Sequence, residues 1–279
     1  MIQLDRFDST KLDRARTIVR GLGSVLVAYS GGVDSTLLLK LGLDELGPRA
    51  VAVLASSPAY PESEQEQARV TARSLGARLV EVETHELELE AYTRNHPDRC
   101  FHCKEELFET LEPVRVELAL DHLAYGATAD DSEDHRPGHG SAVRRGVRFP
   151  LLEAGMGKPD IRAAARMLGL ANWNKPSFAC LSSRIPNGTE VTVEALRRIE
   201  AAEAAIKALG FAQVRVRDHG DVARIEVEPA EIDHLARSRE AVVEALRAAG
   251  YTFVALDLEG YATGSLNRTW KPERSQRSS

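Results

Sequence analysis

The hexapeptide Ser30-Gly31-Gly32-Val33-Asp34-Ser35 constrains this chain more than any other stretch, because of what flanks it. Before it, Val25 to Tyr29 is a short apolar run rich in β-forming residues, which predicts a buried strand. After it, Leu37, Leu38 and Leu41 recur on one side at helical spacing. The two glycines therefore mark a strand-to-helix turn. There, backbone N–H groups approach a ligand closely and the new helix aims its positive end at the same spot. Ser30, Ser35 and Thr36 add hydroxyl donors. This is an anion cradle, and phosphate is the expected anion. Two commoner cradles are excluded. The Gly-Lys-Ser/Thr ending of a Walker A loop is missing, and so is the Gly-x-Gly-x-x-Gly of a dinucleotide fingerprint.

The chain has 279 residues, room for about two domains. It is 43% hydrophobic and 28% charged, as suits a soluble globular enzyme, and its formal net charge is −6. That balance argues against nucleic-acid binding through a broad basic surface. No apolar run reaches the ~18 residues of a membrane helix, and the first residues do not read as a secretory signal. A cytoplasmic protein without membrane or nucleic-acid partners is expected. Three cysteines, an odd number, make a disulfide scaffold a poor fit. In a reducing compartment they bind metal or react.

Further strands are expected at 50–55, 78–83 and 122–126, with helices at 11–22, 61–75, 85–95, 104–118 and 158–168, and an extended stretch at 148–152. The order β-α-β-α-β gives a parallel, doubly wound sheet. From residue 191 the pattern reads α-β-β-α-β, a smaller α+β unit with one long helix over 230–249. The expected domains are 1–175, a cysteine-bearing loop and linker at 176–190, a C-terminal domain at 191–268 and a disordered tail at 269–279.

Three constellations carry chemistry. Ser30, Gly31, Gly32, Asp34 and Ser35 form the nucleotide cradle, bordered by Gly126, Thr128 and Asp130 at the end of a later strand. Asp34, Asp130, Asp131 and Glu133 are candidate Mg²⁺ ligands, because that ion prefers carboxylate and water oxygens; the acidic loop also reads as a solvated turn. Cys100 and Cys103 form a CxxC pair, and Cys180 lies in an irregular Pro- and Ser-rich loop. Three thiolates leave a metal site one ligand short, which describes an open zinc site or a cluster with one free iron. His102 could complete a zinc site or simply start a helix at the surface. Arg215 and Arg217 alternate with Val214 and Val216, so both point to one face of a strand. They could hold an anion or pair with Glu226 and Glu228. Arg184 lies in the cysteine loop. Glu259 could orient substrate or cap a strand end.

The hexapeptide resembles the PP-loop of N-type ATP pyrophosphatases. Five further features make the chain similar to the LarE family of ATP-dependent sulfur transferases. They are Gly126-Ala-Thr-Ala-Asp-Asp131, Arg136-Pro-Gly138, Phe149-Pro-Leu-Leu-Glu-Ala154, Lys175-Pro-Ser-Phe-Ala-Cys-Leu-Ser-Ser-Arg-Ile-Pro186 and Asp257-Leu-Glu-Gly-Tyr261 followed by Gly264-Ser-Leu-Asn267. The resemblance implies adenylation of the carboxylates of pyridinium-3,5-biscarboxylic acid mononucleotide by ATP with Mg²⁺. Conversion to thiocarboxylates would follow, in nickel-pincer nucleotide biosynthesis. It implies a homo-oligomer, trimer or hexamer. The substrate so implied carries one phosphate, for which Arg215 and Arg217 are the expected ligands, with Arg184 and Glu259 as further substrate candidates. In many relatives a cysteine matching Cys180 gives up its own sulfur. The added Cys100 and Cys103 resemble the branch in which Cys100, Cys103 and Cys180 hold a [4Fe–4S] cluster, with sulfide or another sulfur donor feeding it, and this is the expected reading, with Cys180 as sacrificial donor the alternative. A PP-loop tRNA thiolase, an amide-forming ligase and a nucleotide sensor are the competing functions.

Overall fold

A computed structural model describes residues 9–130, 137–176 and 178–262, with the side chains of 137–140 also left aside. Asp131, Glu133, the expected tail at 269–279 and part of the C-terminal motif lie outside the described residues. The chain divides into two compact units: residues 9–86 with 100–178, and residues 87–99 with 179–262.

The first unit is built on four parallel strands in the order β3-β2-β1-β4: β1 Val25–Tyr29, β2 Ala50–Ser56, β3 Arg78–Glu83 and β4 His122–Tyr125. Strand β1 runs in register from Val25 against Ala50 to Tyr29 against Leu54, with β4 on its other side. All five β1 residues are buried, as expected of a parallel strand covered on both faces. Alternation decides which residue serves which core. Val25, Val27, Tyr29, Ala50, Ala52 and Leu54 pack with Leu12, Leu37, Leu41 and Ile161 of the helices Ser9–Gly21, Val33–Leu46 and Lys158–Met167. Leu26, Ala28, Val51 and Val53 pack on the other face with Phe108 and Leu111 of the helix Arg99–Glu117. The doubly wound expectation holds. One local expectation does not: the stretch expected to be extended makes a single bridge, Arg148 with Ala124, and then Pro150 opens the one-turn helix Pro150–Glu153. Proline suits a first helical position, where its missing N–H costs nothing.

The second unit carries a three-stranded sheet, β5 Val214–His219, β6 Val222–Val227 and β7 Phe253–Leu256, with β5 antiparallel and β7 parallel to β6. The helix Val193–Ala208 covers it through Ala202 and Ile206, packed with Phe211, Val216 and Ile225. The long helix expected over 230–249 is two, Ile232–Arg237 and Arg239–Ala248, separated at Ser238 with ψ 14°. The expected boundaries also shift. Residues 87–99, early in the sequence, group with the second unit, and in place of one helix over 85–95 they hold a 3₁₀ turn, Glu86–Glu88, and a single α turn, Glu90–Thr93.

Candidate active site: a phosphate cradle and an anchored cysteine loop

The first unit opens a cavity of about 330 Å³ at the C-terminal ends of its strands, lined by Ser30, Gly32, Asp34, Gly126, Cys103 and Lys158 among others. Ligands bind at this edge of open α/β sheets. The cradle geometry explains its glycines. Gly31 has φ +70°, and a Cβ there would come within 2.6 Å of the Ala68 Cβ. Gly126 lies under the helix start, where a Cβ would meet the Ser35 nitrogen at 3.0 Å. Ser35 closes the loop: its Oγ accepts from the Ser30 N–H at 3.2 Å and donates to the Gly32 carbonyl at 3.2 Å. Thr36, expected to face the anion, is wholly buried instead, and its Oγ accepts from Asn172 at 2.9 Å. The same Asn172 Nδ2 donates to the Gly31 carbonyl at 3.1 Å, so one side chain braces both ends of the turn.

Two carboxylates meet one lysine. Lys158 forms an ion pair with Asp34 through Nζ, and its backbone N–H donates to Asp130 Oδ2 at 2.6 Å. Asp130 therefore holds the start of the helix Lys158–Met167, and Gly157 beside it leaves only 3.3 Å for a Cβ against the Asp130 carboxylate. Thr128 is fully buried. Lys104 also lines the cavity, with its Nζ 4.2 Å from the centre of the Tyr125 ring. Burial works against its charge, but the neighbouring Tyr125 phenol and the Cys103 and Cys100 thiols outweigh it and raise its pKa. Sequence reasoning missed Lys158, Lys104 and Asn172. Only Lys158 had a local signal, a Gly-Lys-Pro run opening a predicted helix.

None of the three thiols is in a disulfide. Cys100 is exposed and Cys103 faces the cavity, both on the first turn of Arg99–Glu117, while Cys180 belongs to the second unit. Among the described residues no group of three or more His, Cys, Asp or Glu is placed to hold a metal ion.

The Cys180 loop is anchored from outside. Arg184 is wholly buried and forms a two-pronged ion pair with Glu203, at 2.9 and 3.1 Å. Its Nη1 donates to the carbonyls of Ala179 at 2.5 Å and Cys180 at 2.9 Å. Expected to meet substrate, Arg184 is instead the clamp of the loop, since its donors are spent inside the unit. Asn95, at φ 57°, donates to the carbonyls of Ile185, Pro186 and Thr189 at 2.8 to 3.2 Å. Tyr92 Oη lies 2.6 Å from Ser182 Oγ. These contacts draw residues 87–99 into the second unit.

Arg217 pairs with Glu226 at 2.6 Å and donates to the Ser183 carbonyl at 3.0 Å. Arg215, 6% exposed, donates to its neighbour's carbonyl at 2.8 Å and stacks over Tyr261, with no carboxylate in ion-pair range among the described residues. Burial and the nearby Arg184 charge push its pKa down. A buried guanidinium with no carboxylate in ion-pair range suits an anion. Glu259 is exposed, and its N–H donates to Asp257 Oδ1 at 2.9 Å.

No protein-family profile matches the chain, but curated proteins do. An uncharacterised protein of Synechocystis is 42% identical over 93% of this chain and 97% of its own length. The pyridinium-3,5-bisthiocarboxylic acid mononucleotide synthase of Lactiplantibacillus plantarum, LarE, is 36% identical over 94% of this chain and 95% of its own. The chain belongs to the LarE family. An uncharacterised protein of Methanocaldococcus jannaschii is a more distant relative, 27% identical over 85% of the chain. The match to LarE spans 262 residues, so it extends over both units. No helix among the described residues is long and apolar enough to cross a membrane.

Proposed function

We propose that this enzyme is an ATP-dependent sulfur transferase. It activates the carboxylates of pyridinium-3,5-biscarboxylic acid mononucleotide and converts them to thiocarboxylates for nickel-pincer nucleotide assembly. The observation that carries the reading is LarE identity across the whole chain together with a glycine cradle at a helix N-terminus. A carboxylate resists sulfur because hydroxide or oxide is a poor leaving group. Its oxygen attacks the α-phosphorus of ATP, and the bond to pyrophosphate breaks. A sulfur nucleophile then attacks the acyl carbon, and AMP leaves. The loop N–H groups and the helix dipole stabilise the departing pyrophosphate. Lys158 exchanges its Asp34 partner for phosphate oxygens. Mg²⁺ fits Asp34 by donor chemistry, since this ion needs only one or two carboxylates beside phosphate oxygens; it would neutralise charge on the leaving group. Arg215 is the receptor for the substrate phosphate, assisted by Arg217.

Cys180 supplies the sulfur. After acyl transfer, loss of its Cα proton and cleavage of its Cβ–S bond would release the thiocarboxylate and leave dehydroalanine. A second reading, a [4Fe–4S] cluster on Cys100, Cys103 and Cys180, is favoured by three thiols outside any disulfide, of which two share one helical turn. The described side chains do not gather a three-ligand set, so no step is assigned to a cluster. One experiment separates the readings. The protein is purified without oxygen, treated with iron and sulfide, and assayed for iron, turnover number and mass. Absence of iron, one turnover and loss of one sulfur from the protein support Cys180. About four irons per chain, with many turnovers and with Cys100→Ala inactive, support the cluster. If no pyrophosphate forms with ATP and the pyridinium substrate, the whole proposal fails.

A further inference from the structure

The cavity of the first unit holds a second polar group, distinct from the phosphate cradle. Glu86 lines it, is only 1% exposed, and carries a carboxylate with one hydrogen bond, from Ser57 Oγ at 2.5 Å. Ser57 is fixed for that task, because its Oγ accepts the Ala59 N–H at 3.1 Å. No cation pairs with Glu86 among the described residues. Gln65 lines the same cavity and is 7% exposed. Its Nε2 donates to the Tyr60 carbonyl at 3.1 Å. A carbonyl only accepts, so this contact fixes which end of the carboxamide is which. The other end, Oε1, is buried and has no donor. A buried carboxylate with one partner and a buried carbonyl with none are costly unless a ligand satisfies them.

Both groups are acceptors, so the ligand must bring donors. We propose that Glu86 and Gln65 read the exocyclic amine of adenine and set the preference of this site for adenine over guanine nucleotides. The amine offers two N–H donors to two waiting oxygens. Guanine offers a carbonyl oxygen at that place, which would face a buried carboxylate. The apolar strand ends Val53 and Leu54, which line the same cavity, suit the ring beside it. The inference rests on reading the cavity as a nucleotide site and names the residues that choose the base.

The test measures pyrophosphate release in the presence of the pyridinium substrate with ATP, GTP, 2′-deoxy-ATP and the triphosphate of purine riboside, which lacks the amine. Wild-type protein is expected to favour ATP over GTP by at least about 100-fold in kcat/KM, since sites built to hydrogen-bond one group reject analogues strongly. Purine riboside triphosphate should lose about tenfold or more, an arm that needs no variant. Glu86→Gln, which offers guanine a donor, should cut the ATP-to-GTP ratio about tenfold through KM, with kcat little changed. Equal use of ATP and the amine-free analogue, or an unchanged ratio in Glu86→Gln, overturns the inference while leaving the nucleotide site intact. So does a tenfold loss confined to 2′-deoxy-ATP, which would assign the acceptors to the ribose. Absence of pyrophosphate with every nucleotide overturns the inference and the proposed function together.

Discussion

The proposed phosphate cradle and the Cys180 loop are both irregular stretches to which function is assigned by proposal, yet they are held in opposite ways. The cradle is held largely by its own backbone: Gly31 at positive φ, Ser35 closing the turn and the helix that starts at Val33. From outside the segment Asn172 braces the turn and Lys158 pairs with Asp34. The Cys180 loop has one 3₁₀ turn of its own, Leu181–Arg184, and is tied down by distant side chains, Glu203 through Arg184 and Asn95 from ninety residues earlier. A cradle that must match phosphate in one geometry gains from local rigidity. A thiol loop anchored at its carbonyls keeps the cysteine side chain uncommitted.

The sharpest break of this contrast is Arg184→Ala. It leaves Glu203 buried and unpaired, and loss of one partner of a buried ion pair costs about 3–5 kcal/mol. Chemical denaturation should show that loss in the second unit, while the cradle still binds ATP. Unchanged stability would show that the loop does not depend on its clamp. Next comes Gly31→Ala. Its Cβ would sit 2.6 Å from Ala68 in a backbone conformation that disfavours side chains. Adenylation should fall by about 100-fold or more, equivalent to about 2.7 kcal/mol, with the circular dichroism spectrum retained. A smaller effect, about tenfold in KM for ATP, is expected of Asn172→Ala, which removes two hydrogen bonds of about 1 kcal/mol each. If it instead lowers only melting temperature, the brace is structural and the turn keeps its geometry without it.

The smallest effect concerns pH. Glu153 is held below the usual carboxylate range by its paired hydrogen bonds from Arg148, at 3.0 and 2.6 Å, despite partial burial. Its folded pKa is depressed, so the stability it contributes is present above the unfolded value of about 4.3 and is lost as pH falls toward the folded value. Urea midpoints for Glu153→Gln and wild type should converge in that acid window and differ by less than about 1 kcal/mol near neutrality, as for partly exposed pairs.

How far the sequence reached follows the same contrast. Strand β1 and the helix after it were legible because apolar runs and helical spacing are local signals, and Ser30 to Ser35 carried their chemistry in contiguous residues. β5 and β6 were legible for the same reason. Residues 87–99 were placed in the wrong unit, because membership there depends on Asn95 finding carbonyls about ninety positions away. Arg184 looked like a substrate ligand until Glu203 was seen beside it. Lys104, Asn172, Gln65 and Glu86 gave no signal, since a lone polar residue gains meaning only from what surrounds it.

The sequence by itself determined the parallel sheet, the cradle at the end of β1 and the family, because periodicity and contiguous motifs are properties of neighbouring residues. The tertiary structure decided which arginine is a clamp and which has no carboxylate in ion-pair range among the described residues. It decided that Thr36 turns inward, and that Glu86 and Gln65 present acceptors to one cavity. The physical reason is that burial and pairing belong to groups brought together by folding, and a charge or hydrogen-bonding group takes its role from the partner it finds there.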